Sequence, residues 1–131
     1  MSITEITTGK APAVIGPYSQ GVRVGDFVYI SGQLPINPAT GFIEAQEATG
    51  QAVQCIANIE AILAAAGLSL ANVVKTTIYL TDIAEFGFVN DEYEACFTTR
   101  PLPARSTVEV AALPGGAKVE IDATAYSALR D

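Results

Sequence analysis

The stretch Ala104-Arg105-Ser106-Thr107-Val108-Glu109-Val110 decides the fold, read together with the run from Ala117 to Ser127 that follows a Leu113-Pro114-Gly115-Gly116 turn. Side chains alternate between the two faces of a strand, so each run separates into two sets. Ser106, Val108 and Val110 in the first run, and Val119, Ile121, Ala123 and Ala125 in the second, predict a face covered by helices. Arg105, Thr107 and Glu109, with Lys118, Glu120 and Asp122, then share a polar, uncovered face. A hairpin register that places Thr107 opposite Glu120 also places Arg105 opposite Asp122.

Working outward, Val73 to Thr81 is rich in β-branched residues and reads as a strand. It adds Lys75, Thr77, Tyr79 and Thr81 to one face. Asp82 predicts the start of a helix, with Glu85 completing a capping box. Phe86, Val89, Tyr93 and Phe97 form its inner stripe, and Pro101 and Pro103 stop it. An earlier helix is predicted from about Gln46 to Ala66, where Ala52, Cys55, Ile56, Ile59, Leu63 and Ala66 recur at helical spacing. Gly67 suits the left-handed position that ends a helix. Ile3 to Ile6 predicts an edge strand. Val22 to Val24 and Phe27 to Ile30 predict two more, split by Gly25-Asp26. Pro35 to Gly41 reads as a loop. The order is β-β-β-α-β-α-β-β, an α+β domain with one sheet and two helices on one face.

The 131 residues suit one domain spanning 1–131. Half are apolar and only 16% are charged, against roughly 25% in an average soluble domain. That excess predicts burial between subunits. The net charge of −7 and the scatter of the seven basic residues argue against nucleic acid as a partner. There is no histidine, so the commonest neutral-pH base and metal ligand is missing. Cys55 and Cys96 fall in helical patterns and read as buried thiols, not as a metal site. Asp82, Asp91, Glu92 and Glu94 read as a solvated helix face. The N-terminal MSITEITTGK lacks the apolar run of a signal peptide and no stretch is long enough for a membrane span, which predicts a cytoplasmic location and no membrane partner.

Four candidate groups stand out. Arg105 offers a rigid fork of donors for a planar carboxylate, or an ion pair with Glu120 or Asp122. Glu120 can orient a water, or is a solvated strand residue. Tyr18 lies in the glycine-bounded segment Ile15-Gly16-Pro17-Tyr18-Ser19-Gln20-Gly21, as a ligand-facing hydroxyl or a ring packed in a turn. Ser31-Gly32-Gln33 ends a strand where glycine permits close backbone approach. No P-loop, dinucleotide fingerprint or G-x-S-x-G is present.

These motifs resemble the Rid (YjgF) family. The resemblance rests on Ile15 to Gly21, Ser31-Gly32-Gln33, Ala65-Ala66-Gly67, Val74-Lys75-Thr76-Thr77, Val89-Asn90 through Tyr93, Pro103 to Val110, Leu113-Pro114 and Val119-Glu120-Ile121, in order along nearly the whole chain. It implies a chorismate-mutase-like fold with one mixed sheet, and a homotrimer with clefts between subunits. It implies hydrolysis of 2-iminobutanoate and 2-iminopropanoate to 2-keto acids and ammonia, without cofactor or metal, sparing pyridoxal-phosphate enzymes from imine damage. By resemblance Arg105 binds the substrate carboxylate, assisted by the backbone N–H of Thr107. Glu120 positions the water, Tyr18 shapes the site, and Ser31, Gly32 and Asn90 line it. Some members carry Cys at the Thr107 position, a change that a backbone contact tolerates. The alternatives are a non-catalytic keto-acid sensor, which needs Arg105 but not Glu120, and an endoribonuclease or translation-inhibitor-like protein. A holdase-type chaperone is a further one.

Overall fold

The computed structural model describes residues 2–128. Strands β1 (Ile3–Ile6), β2 (Gly21–Val24) and β3 (Phe27–Gln33) form an antiparallel meander, turning at Gly25-Asp26 as the sequence reading expects. A small hairpin follows, its first strand β4 (Ile36–Asn37) inside the predicted loop and its second, β5 (Phe42–Ile43), just beyond it. Then come helix α1 (Ala48–Ala65), β6 (Val73–Leu80), helix α2 (Phe86–Cys96), β7 (Ala104–Glu109) and β8 (Val119–Tyr126). The main sheet has six strands in the order β1-β2-β3-β8-β6-β7. It is mixed: β6 and β7 run parallel, joined by a crossover through α2, and every other pair is antiparallel.

Helix α1 buries the predicted stripe. Ala52, Cys55, Ile56, Ile59 and Leu63 are buried, with Ile62 beside them. They pack on Val28, Ile30, Ile78, Val119, Ile121, Ala123 and Ala125 of the sheet in one cluster. The helix gives way at Gly67, whose φ of 76° is the left-handed conformation glycine adopts without a Cβ clash. Asp82 caps as expected, its carboxylate accepting the Ala84 N–H at 2.9 Å, but it caps a short 3-10 turn, Ile83–Glu85, that precedes α2. Glu85 closes no capping box. The Ile83 N–H donates to Glu109 of β7 at 2.8 Å.

The expected hairpin between β7 and β8 does not form. β6 lies between them, with Thr76 beside Arg105 and Tyr79 beside Glu120. The connection through Pro114–Gly116 therefore passes the end of one strand instead of turning tightly. Directly paired residues point to the same side, so Arg105, Thr107 and Glu109 join Thr76, Ile78 and Leu80 on the helix-covered face. Glu120 and Asp122 join Tyr79 and Thr77 on the other. Alternation in the sequence puts Arg105 and Glu120 on one face; in the structure they lie on opposite faces.

The uncovered face is also less polar than expected. Phe27, Tyr29 and Tyr126 lie exposed there in ring contact, the Phe27 and Tyr126 centroids 5.2 Å apart, with exposed Ile3 and Val108 on the same side. No helix among the described residues is long and apolar enough to cross a membrane.

Candidate functional site

The candidate residues assemble as two separate groups. The first lies on β7 and α2. Arg105 is half-buried with its guanidinium 4.8 Å from the Tyr93 ring centroid and 5.5 Å from that of Phe86. It makes no ion pair with any described residue, which rules out the pairing with Glu120 or Asp122 within one chain. A pocket beside it of about 340 Å³ is lined by Asn90, Tyr93, Glu94, Leu102, Pro103 and Arg105. Tyr93 is pinned by a 2.7 Å hydrogen bond with the buried Thr76 hydroxyl and by stacking on Phe97 at 4.3 Å.

Strand β7 is the sheet edge. In its parallel ladder the Val110 N–H donates to Leu80 O, so the even-numbered residues of β7 bond inward. The N–H groups of Arg105 and Thr107 therefore point out from the free edge. The Thr107 hydroxyl is buried and has no hydrogen-bond partner among the described residues.

The second group lies where β3 meets β8. The register shifts between Ile30, opposite Ala123, and Gln33, opposite Ile121. Ser31 and Gly32 thus face the single residue Asp122, a β-bulge. A Cβ on Gly32 would run into the Glu120 carboxylate, so only glycine lets that side chain lie against the strand. This is the close approach the sequence flagged at Gly32, now with its partner named. The Ser31 hydroxyl donates to Ser19 O at 2.6 Å, and its N–H to Gln20 O at 3.0 Å. Tyr18 is exposed. Its hydroxyl accepts the Ile15 N–H at 3.3 Å, closing its own loop, and it shares a small cleft with Gly32 and Leu34. Buried Gln20 anchors the loop, its amide oxygen accepting the Thr8 N–H at 2.7 Å and its amide N–H donating to Pro12 O at 2.9 Å.

Glu120 has no hydrogen-bond partner among the described residues. Loss of water around it pushes its carboxyl above its ordinary pKa, and the neighbouring Asp122 carboxylate adds to the rise. Asp122 is itself engaged, accepting from the Tyr79 hydroxyl at 3.0 Å and the Thr77 N–H at 3.1 Å. A carboxylate that is raised in pKa and unengaged is suited to accept a proton from water. Cys55 is buried and Cys96 half-buried; burial raises both thiols, so neither is primed as a nucleophile. Among the described residues no three His, Cys, Asp or Glu side chains are grouped to hold a metal ion.

The sequence brought attention to Arg105, Thr107, Glu120, Tyr18, Ser31, Gly32 and Asn90. It missed Phe86 and Tyr93 as neighbours of Arg105, because their helical spacing reads as core packing alone.

A family model described as endoribonuclease L-PSP matches residues 8–127. A RutC family protein, y4sK, of Sinorhizobium fredii is 52% identical over 121 residues, covering 92% of this chain and 95% of its own. A protein of Escherichia coli named 2-iminobutanoate/2-iminopropanoate deaminase is 50% identical over 122 residues, covering 92% and 94%. The crystal structure of Escherichia coli TdcF with bound serine superposes with a TM-score of 0.91 at 41% identity, over 95% of this chain and 99% of that one.

Proposed function

The chain belongs to the Rid (YjgF) family, whose sequence model carries the description endoribonuclease L-PSP, and from that premise we propose that it hydrolyses small 2-imino acids to 2-keto acids and ammonia. The observation that carries the reading is Arg105: a half-buried guanidinium on a free sheet edge, seated on aromatic rings and with no carboxylate partner among the described residues. Such a group suits a ligand carboxylate, bound by two parallel hydrogen bonds. The outward Thr107 N–H supplies a third donor nearby. The name of the deaminase relative and the serine held by TdcF support the same class of small substrate.

Arg105 and Glu120 point to opposite faces of one sheet, so one chain does not hold both against a single ligand. The reading therefore includes a homotrimer in which the β7 edge of one subunit meets the bulge of Ser31 and Gly32 in the next. The exposed Phe27, Tyr29 and Tyr126 rings provide apolar area for such contacts.

In that cleft the mechanism is short. A protonated imine carbon is already electrophilic, so the site has to hold the carboxylate and aim one water. Glu120 takes a proton from the water as its oxygen bonds to the imine carbon, giving a carbinolamine. Glu120 returns that proton to the nitrogen, then takes the hydroxyl proton as the C–N bond breaks, so the carbonyl forms, ammonia leaves, and the proton on Glu120 is given up to the departing ammonia as ammonium. No electron transfer is involved. Tyr18 borders the bulge side of the cleft and Asn90 the arginine side.

The family description favours RNA cleavage as a second reading. A net charge of −7 and the lack of histidine weigh against it, since phosphate binding rests on clustered cations. The test is a coupled assay: threonine is converted in situ to 2-iminobutanoate by a dehydratase, and imine decay is followed with and without the protein. Accelerated decay is expected; decay at the uncatalysed rate would refute the reading.

A further inference from the structure

We propose that Phe86 and Tyr93 are positioning residues that hold Arg105 by their ring faces in place of the usual carboxylate, leaving its whole fork of donors free for the ligand. The inference rests on Arg105 being the carboxylate clamp. A half-buried guanidinium usually pairs with an acid, and an acid would occupy the fork and cancel the charge. Glu94 lines the same pocket, yet no ion pair forms. An aromatic face attracts the cation through its quadrupole while using none of the in-plane N–H donors. The two centroid distances, 4.8 and 5.5 Å, lie inside the range in which this attraction acts.

The seat is built to stay in place. Tyr93 is 5% exposed, fixed at its hydroxyl by Thr76 and at its ring by Phe97. Phe86 opens α2, and the turn before it is tied back to β7 by the Ile83 N–H to Glu109 bond. Glu109 lies on the same strand face as Arg105, so one strand carries both the clamp and the tether of its seat.

Phe86 is exposed enough to vary without opening the core, and fluorination alters the ring face with little change in shape. The full-length protein is therefore prepared with Phe86 replaced by mono-, di- and pentafluorophenylalanine, and also as Phe86→Leu, Tyr93→Phe and Arg105→Ala. Calorimetry measures binding of 2-ketobutanoate. NMR of the free protein follows the ring-current shift of the Arg105 side-chain resonances. Affinity should fall stepwise along the fluorine series, by about 2- to 30-fold at pentafluoro, at an unchanged melting temperature. Tyr93→Phe keeps the ring face but removes its hydroxyl anchor on Thr76, so it should bind more weakly than wild type and more tightly than Arg105→Ala. Phe86→Leu should lose part of the upfield shift of Arg105.

A flat fluorine series, with Arg105→Ala still abolishing binding, overturns the aromatic seat alone and leaves the clamp standing. Unchanged binding in Arg105→Ala overturns the clamp, and the seat with it.

Discussion

Arg105 and Glu120 do different work in this account, and substitution separates them. Arg105→Lys keeps a cation near the rings but replaces a planar fork by a point charge. It should lower kcat/KM by about 10- to 100-fold, the value of one charge-assisted hydrogen bond. Steady-state kinetics in the coupled assay measures this, and near-normal turnover would show that the fork is not the clamp. Glu120→Gln should bind 2-ketobutanoate normally by calorimetry while turnover falls roughly 10²–10⁴-fold, as for loss of a general base. The base must be ionised, so the rate falls as pH drops through the Glu120 pKa. Burial and Asp122 raise that pKa, so the acid limb lies above the ordinary carboxylate range. Asp122→Asn removes the like charge and should move the limb to lower pH. A pH–rate profile reads the direction, and an unmoved limb would mean that Glu120 does not set it. These two residues stand out as candidates in the sequence because few charges interrupt an apolar chain, and the family resemblance supplies the roles proposed for them. Their spatial relation is not legible there, because alternation within a strand says nothing about which strand lies next to it.

Elements place these groups. The register shift in β3 lets Glu120 lie against Gly32, and β7 holds Arg105 at the sheet edge. Gly32→Ala should push the carboxylate aside, since the added Cβ meets the movable end of that side chain and not the backbone. The protein should fold with a near-normal melting temperature yet lose about 10²-fold in turnover, the cost of a small misplacement of a reacting group. Full activity in Gly32→Ala would show that Glu120 need not lie there. Most elements were readable beforehand. The α1 stripe from Ala52 to Leu63 and the β-branched run of β6 each repeat at their own period. The insertion of β6 between β7 and β8 was not. Pro114-Gly115-Gly116 has hairpin-like composition, and only the parallel pairing of β7 with β6 shows that the chain passes over a strand. Val108 made the misreading natural: an apolar residue that suggests a covered face lies instead on the exposed one.

At the scale of the whole molecule, the two groups of candidate residues on opposite faces and the exposed rings of the open face fit the proposed assembly of copies. Sedimentation should give a trimer at micromolar concentration, and a stable monomer would contradict it. The claim that binds everything together is that each site takes Arg105 from one subunit and Glu120 from another. Arg105→Ala and Glu120→Gln are each expected to be inactive alone. Unfolded together in equal amounts and refolded as mixed trimers, they should recover about a quarter of wild-type imine hydrolysis, because one site in four then draws both intact residues. The control is the double variant mixed with wild type, in which activity should follow the same statistics. Recovery near that level in the first mixture is the predicted result. Mixed trimers, verified by mass spectrometry, that remain as inactive as either parent would contradict the account.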